Sequence, residues 1–228
     1  MPNYYPIMLN VRDRLAIVVG GDTVAAEKAT NLSACGARVT VQNATFCEEL
    51  LDLAQQQKVM LLHKAYEPGD LAQAFVVVAA THDPALMEPI WQETQQRNQL
   101  VNIVDEPARC NFILPSILRR DQLTIAVSTE GASPSLAKRI RQQLEKLFPP
   151  AYGVYLRLAG TVRTHIRKQG LSYEQRDEFF GDFFDSQVLQ HLTDNQREQA
   201  LAEIRSLLER YNIDVPEATI EAEMREAV

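Results

Sequence analysis

Residues 15–29, LAIVVGGDTVAAEKA, constrain this chain more than any other stretch. An unbroken apolar run from Leu15 to Val19 meets two glycines, after which Val24, Ala25, Lys28, Ala29 and Leu32 recur at helical spacing up to a stop at Gly36. A strand buried on both faces that hands glycines to a helix start makes a phosphate site, because the helix N-terminus offers unpaired N–H groups and partial positive charge. Arg38 to Val41 reads as the second strand of one βαβ unit. A dinucleotide loop of the form GxGxxG/A would start at Gly20 and close on Ala25, but Asp22 holds its middle glycine position. The acidic residue expected after the second strand is also missing, replaced by the neutral Gln42, Asn43, Ala44 and Thr45. On the motif alone, a dinucleotide site and a structural tight turn both stand.

The totals narrow the field. A chain of 228 residues has room for one ordinary domain and a smaller one. No apolar run approaches the roughly 18 residues a membrane span needs, and the N-terminus MPNYYPIMLNVRD lacks the pattern of an export signal. A cytoplasmic, membrane-free protein is expected. Cys35, Cys47 and Cys110 are scattered without CxxC spacing, and His63, His82, His165 and His191 form no HExxH pair, so neither a disulfide framework nor a metal site is indicated. A net charge of −7 argues against a nucleic-acid binder. The charge is uneven, however. Between Arg119 and Lys146 six basic residues face three acidic ones, whereas residues 171–228 carry 14 acidic against 5 basic. A basic segment inside an acidic chain suits a small polyanion or is simply a solvated helix face.

Further strands are expected at Val59–His63, Phe75–Ala80, Leu100–Val104 and Leu123–Thr129, with Phe112–Leu118 an edge or crossover segment because it contains Pro115. His82 and Asp105 each follow such a strand, at the edge where open α/β sheets bind ligands, although for His82 an exposed loop histidine is the plainer reading. From position alone Asp105 is equally a cap, a turn former or a catalytic carboxylate. Ser133 and Pro134 start a helix that Pro149 and Pro150 stop. Beyond it Tyr152–Gln169, Leu171–Leu192 and Gln196–Tyr211 read as helices, and the acidic last dozen residues are expected to fray.

Taken in order, YPIMLNVRDR, VVGGDTVAAEKA, FVVVAATHDP and LVNIVDEPARCNFILPSILRRDQLTIAVSTEGASPSLAKRIRQQLE resemble the precorrin-2 dehydrogenase and sirohydrochlorin ferrochelatase family. These sirohaem-synthesis enzymes occur alone or as the N-terminal half of a fused synthase. The likeness rests most on NIVDEP, ILPS and STEGASP, and it loosens from Ala151 onward. It implies NAD-dependent oxidation of precorrin-2 to sirohydrochlorin and, in some members, insertion of ferrous iron. It also implies an α/β architecture with a Rossmann-type doubly wound parallel sheet over 1–107, a dimerisation segment over 108–149 and a helical C-terminal domain over 150–228, assembled as a homodimer.

The resemblance assigns the key carboxylate to Asp105. Nucleotide contacts fall on Gly20, Gly21, Asp22, Thr23 and Val24, on Ala44 and Thr45, and on Ala80 and Thr81. The serine-rich loop falls on Ser128, Thr129, Gly131 and Ser133. Precorrin-2 carries eight carboxylates, which gives Arg119, Arg120, Lys138 and Arg139 a purpose in substrate docking. Two further readings stay open on the residues: a tetrapyrrole carrier or chelatase whose dinucleotide site has weakened, and an unrelated nucleotide-dependent protein acting on another anionic metabolite.

Overall fold

A computed structural model describes residues 4–225, and the chain divides into two compact units, residues 1–114 and 115–228. The first holds β1 (Leu15–Val19), α1 (Thr23–Ala34), β2 (Arg38–Asn43), α2 (Glu48–Gln55), β3 (Met60–His63), β4 (Val76–Ala79), α3 (Pro84–Gln96) and β5 (Leu100–Ile103). Its strands form a parallel sheet in the order β3-β2-β1-β4-β5. Both faces are covered, which is why the strands read as unbroken apolar runs. Ala16, Val18, Val39, Val41, Val76 and Val78 pack toward Ala25, Ala29 and Leu50 of α1 and α2. Their neighbours Ile17, Val19, Val77, Ala79, Val101 and Ile103 pack toward Met87 and Ile90 of α3.

The crossover from β3 to β4 contains no α-helix. Polar side chains strap it down instead. Gln42, nearly fully buried in β2, donates to Asp70 Oδ2 at 2.6 Å and to the Ala65 carbonyl at 3.2 Å, so it points into the unit and away from any ribose. Lys64 Nζ and the Glu67 N–H complete the shell around Asp70 at 2.8 and 2.9 Å. Buried Glu93 on α3 accepts from the Tyr66 hydroxyl and the Gly69 N–H, both at 2.8 Å, while Gln99 donates to the Leu71 and Ala74 carbonyls. Burial, together with the Glu93 carboxylate, pushes the Tyr66 hydroxyl up and keeps it a donor.

The second unit opens with an antiparallel hairpin, β6 (Ser116–Arg120) and β7 (Leu123–Val127), then α4 (Pro134–Leu147). Pro115 immediately precedes β6, where its missing N–H costs the ladder nothing. Five helices follow: α5 (Ala151–Lys168), α6 (Tyr173–Asp185), α7 (Val188–Thr193), α8 (Arg197–Arg210) and α9 (Glu217–Arg225). They share one core around Leu158, Val162, Ile166, Phe179, Phe183, Ile204 and Leu207.

Two expectations need correction here. The segment 171–192 is two helices, because Ser186 leaves helical geometry at ψ 171 and its hydroxyl donates to the Phe183 carbonyl. The described part of the acidic tail is ordered as α9, since Ile220 and Met224, four residues apart, bury one stripe in the helical core. Arg157 on α5 reinforces this. Its guanidinium pairs with Asp121 in the hairpin turn and donates to the Glu223 carbonyl on α9 at 3.0 Å.

Burial alone would raise the Asp70 carboxyl, but Lys64, the Glu67 N–H and Gln42 outweigh it and hold the group below its ordinary value. A lowered native pKa adds stability above the unfolded value that is lost as pH falls through the native one. Asp70→Asn is therefore expected to cost about 1–2 kcal/mol in urea melts at pH 7, with the gap closing below about pH 4. An equal gap at both pH values would remove the Asp70 charge as its cause.

Candidate active site

The site of the first unit is built where β1, β4 and β5 end. Gly20 at φ +149 leaves no room for a side chain: a Cβ there would stand 2.3 Å from the Ala80 carbonyl oxygen. Gly21 is equally constrained, with a Cβ falling 2.0 Å from the Thr45 carbonyl oxygen. Both glycines are thus fixed by backbone approach from neighbouring loops. The Gly20 N–H donates to the Gln42 carbonyl at 3.1 Å, and the Gly21 carbonyl accepts from the Cys47 N–H at 2.7 Å. The tight-turn reading and the phosphate-loop reading therefore describe the same atoms, because the turn brings small residues and the α1 N-terminus to one edge.

Asp22 is the N-cap of α1. Its φ of −96° is ordinary, so no left-handed backbone explains the residue, and its Oδ1 accepts from the Ala25 N–H at 2.9 Å. The carboxylate therefore occupies the positive end of the helix that a diphosphate would use. Thr23 and Val24 head the first turn, where N–H groups have no preceding intrahelical carbonyl. At the end of β2, Asn43 donates to the Thr45 carbonyl at 2.8 Å, and Ala44 and Thr45 are exposed. This corner is neutral, so it offers hydrogen bonds without charge.

Ala80 is buried and its N–H continues the sheet onto the Val19 carbonyl, while the Thr81 Oγ1 accepts from the Asp83 N–H at 3.2 Å. The following residue is the exposed loop histidine that its position suggests, and it stands beside a carboxylate. His82 Nδ1 lies 3.9 Å from Asp105 Oδ2, both side chains being largely open to solvent. Asp105 sits third in a turn that the Glu106 N–H closes on the Ile103 carbonyl at 3.2 Å, with φ +62. Asp is among the residues that adopt that region readily, and seven other non-glycine residues among those described share it. Carboxylate and imidazole stand beside each other without a direct hydrogen bond, and each is a group that can take up a proton.

The second unit sorts the remaining residues into two groups. Ser128, Thr129, Gly131 and Ser133 form the loop into α4. Ser128 Oγ accepts from the Glu130 N–H, Thr129 Oγ1 from the Ser133 N–H, and Ser133 Oγ caps the Leu136 N–H at 3.3 Å. Glu130 and Gly131 turn the chain at φ +52 and +87. Lys138 and Arg139 are exposed in the early turns of α4, close to this loop. Arg119 and Arg120 lie at the other end of the hairpin, about 13 Å of strand away. Arg120 is moreover engaged, donating from Nε to the Phe148 carbonyl at 2.8 Å. Among the described residues no group of three or more His, Cys, Asp or Glu is arranged to hold a metal ion, and no helix is long and apolar enough to cross a membrane.

Comparison with known proteins gives this geometry its context. Residues 7–116 match a family model for NAD(P)-binding domains, residues 120–147 the central region of sirohaem biosynthesis proteins, and residues 151–208 the sirohaem synthase dimerisation region. The chain belongs to the sirohaem-synthesis family. It is 35% identical to a siroheme synthase of Mannheimia succiniciproducens over 89% of its own length, and 34% identical to one of Photorhabdus laumondii over 92%. It spans less than half of these relatives, 42% and 45% respectively. A solved structure of SirC, a precorrin-2 dehydrogenase, superposes with a TM-score of 0.71 at 27% identity, covering 92% of this chain and 99% of that one.

NAD is thus the cofactor to which the site must answer, and the small residues at Gly20, Gly21 and Ala80 with the open first turn of α1 suit it, Asp22 apart. Asn retains the oxygen that caps Ala25 and removes the charge. Asp22→Asn is accordingly expected to tighten NAD about threefold to tenfold by calorimetric titration, with an unchanged melting midpoint. Weaker binding would mean that the carboxylate assists the cofactor.

Proposed function

We infer that this chain catalyses the NAD-dependent oxidation of precorrin-2 to sirohydrochlorin. The observation that carries the reading is the Asp105–His82 pair at the end of the sheet whose first turn suits a dinucleotide. When bound, NAD supplies the acceptor for a hydride. The remaining requirement is a base for the proton that leaves the macrocycle with it, and the exposed Asp105 carboxylate meets that requirement. His82, 3.9 Å away, receives the proton next and returns it to water.

The same pair suits ferrous iron insertion, in which two pyrrole protons must leave as the metal substrate enters. Docking of the substrate's carboxylates falls to the loop Ser128, Thr129, Gly131 and Ser133 and to Lys138 and Arg139, where helix-start N–H groups and two cations lie together. Arg119 is a second docking candidate, at the turn end of the hairpin. The engagement of Arg120 with backbone carbonyls favours a structural part for it.

We assign cofactor binding to residues 1–107, pairing with a second copy to residues 108–149 and the helical domain to residues 150–228. A two-stranded hairpin is marginal without cover. In this segment Ile117, Leu136 and Leu147 are all exposed, whereas Leu118 and Ala137 are buried. A second copy of the chain supplies the missing cover, and the helices matching the dimerisation region extend the contact.

Anaerobic incubation with precorrin-2 and NAD tests the reading, followed by absorbance for sirohydrochlorin and NADH in equal amounts, with ferrous iron added afterwards. Asp105→Asn is expected to lower the oxidation rate by at least about a hundredfold with an unchanged circular dichroism spectrum. His82→Ala is expected to lower it by about tenfold or less, because water can accept the proton in its place. Turnover unaffected by Asp105→Asn would remove the base from the mechanism; tetrapyrrole binding without NADH would favour the carrier or chelatase reading.

A further inference from the structure

One sulfur atom holds the turn that presents Asp105. Cys110 Sγ accepts from the Ile103 N–H at 3.2 Å and lies 3.3 Å from the carbonyl oxygens of both Ile103 and Glu106, the first and last residues of that turn. The Asn102 side-chain amide approaches it at 3.7 Å. Burial, with the Glu106 charge beside it, pushes the Cys110 thiol up, so the proton it donates stays in place at neutral pH.

The sulfur is itself anchored. Asn111, the next residue, lies along the outer edge of β5: its N–H donates to the Val101 carbonyl, its Oδ1 accepts from the Val101 N–H at 2.8 Å, and its Nδ2 donates to the Gln99 carbonyl at 2.7 Å. Farther from the turn, Arg109 pairs with Glu88 of α3 at 2.7 Å. A continuous path therefore runs from the sheet edge through Asn111 and Cys110 to both ends of the turn. Between those ends stands Asp105, at positive φ and with its side chain largely in solvent beside His82, so the hold on its backbone comes from the turn's two ends.

We propose that Cys110 is a positioning residue, which fixes the direction of the Asp105 carboxylate by bonding both ends of the turn that carries it. The proposal rests on the reading of Asp105 as the proton acceptor. It differs from a space-filling part for the cysteine in one respect, since it needs the hydrogen bonds as well as the volume.

Two substitutions separate these. Cys110→Val fills the site with one methyl group more than cysteine and suits the extended backbone at φ −100, ψ 137, but it makes no hydrogen bond. Cys110→Ser keeps both donor and acceptor. Cys110→Val is expected to lower kcat for precorrin-2 oxidation about tenfold with KM for NAD within about twofold, and Cys110→Ser is expected to restore kcat to within about threefold. In an Asp105→Asn background Cys110→Val should change the residual rate no further. Amide exchange at Ile103 and Glu106, which requires no substrate, should quicken about tenfold or more in Cys110→Val and much less in Cys110→Ser.

Full kcat in Cys110→Val, or a Cys110→Ser variant as impaired as Cys110→Val, would overturn the proposal. Absence of turnover in the wild-type protein overturns the functional reading instead; the hold on the turn is then judged by exchange alone, where unchanged protection in Cys110→Val overturns it.

Discussion

The contact between the Ala80 carbonyl and Gly20 sets the terms for the first unit. With only 2.3 Å between that oxygen and any Cβ on Gly20, β1 can end beside β4 only if it ends in glycine. That closeness makes the C-terminal edge of the sheet a narrow shelf, with Gly21 pressed just as closely against Thr45. The loops after β1, β2, β4 and β5 consequently open onto one line. Parallel topology determines which end of the strands carries the site, and the glycine contact brings the backbone near enough for a small set of polar atoms to act together. A residue larger than glycine would do more than block a ligand, because it would separate the two central strands at the point where the helix begins.

Much of this was legible because a doubly covered parallel sheet imprints itself on sequence. Leu15–Val19 and Phe75–Ala80 read as strands since each face of each residue meets a helix layer, so no polar alternation interrupts them. The crossover between β3 and β4 left no comparable imprint. Gln42, Glu93 and Gln99 look like surface residues in the sequence, and their partners lie 23 to 28 positions away, so only the folded chain reveals them as a strap. Composition misled at the C-terminus. Nine residues of α9 include a buried pair, Ile220 and Met224, but the acids around them made the segment resemble a solvated tail.

The site was legible in part for a similar reason. Position placed His82 and Asp105 after two strands, and strand order makes β4 and β5 neighbours, so a meeting of the two loops follows from topology. Which of several parts Asp105 plays did not follow from position; only the family resemblance singled it out, since its positive φ is shared by seven other non-glycine residues among those described. For Cys110 no pattern in the sequence was available. Its significance lies in a sulfur within 3.3 Å of three backbone atoms, a quantity that residue spacing does not encode.

Asp22 and Asp105 show how one shelf can carry two carboxylates with separable effects. At the N-terminus of α1, the Asp22 charge offsets the partial positive charge that a diphosphate would feel, and it does so before and during the reaction alike. An interaction that is equal in ground and transition states alters affinity and leaves the rate at saturation untouched. Any cost of Asp22 would therefore fall on KM for the cofactor, while its capping of Ala25 contributes about 1 kcal/mol to the helix. On the reading of Asp105 as the base, its effect is of the opposite kind, because the proton it would accept exists only as the bond breaks, and it would fall on kcat. A capping carboxylate where the fingerprint has glycine thus sets helix stability against cofactor affinity at a point separate from Asp105, so an imperfect fingerprint does not by itself count against the proposed oxidation.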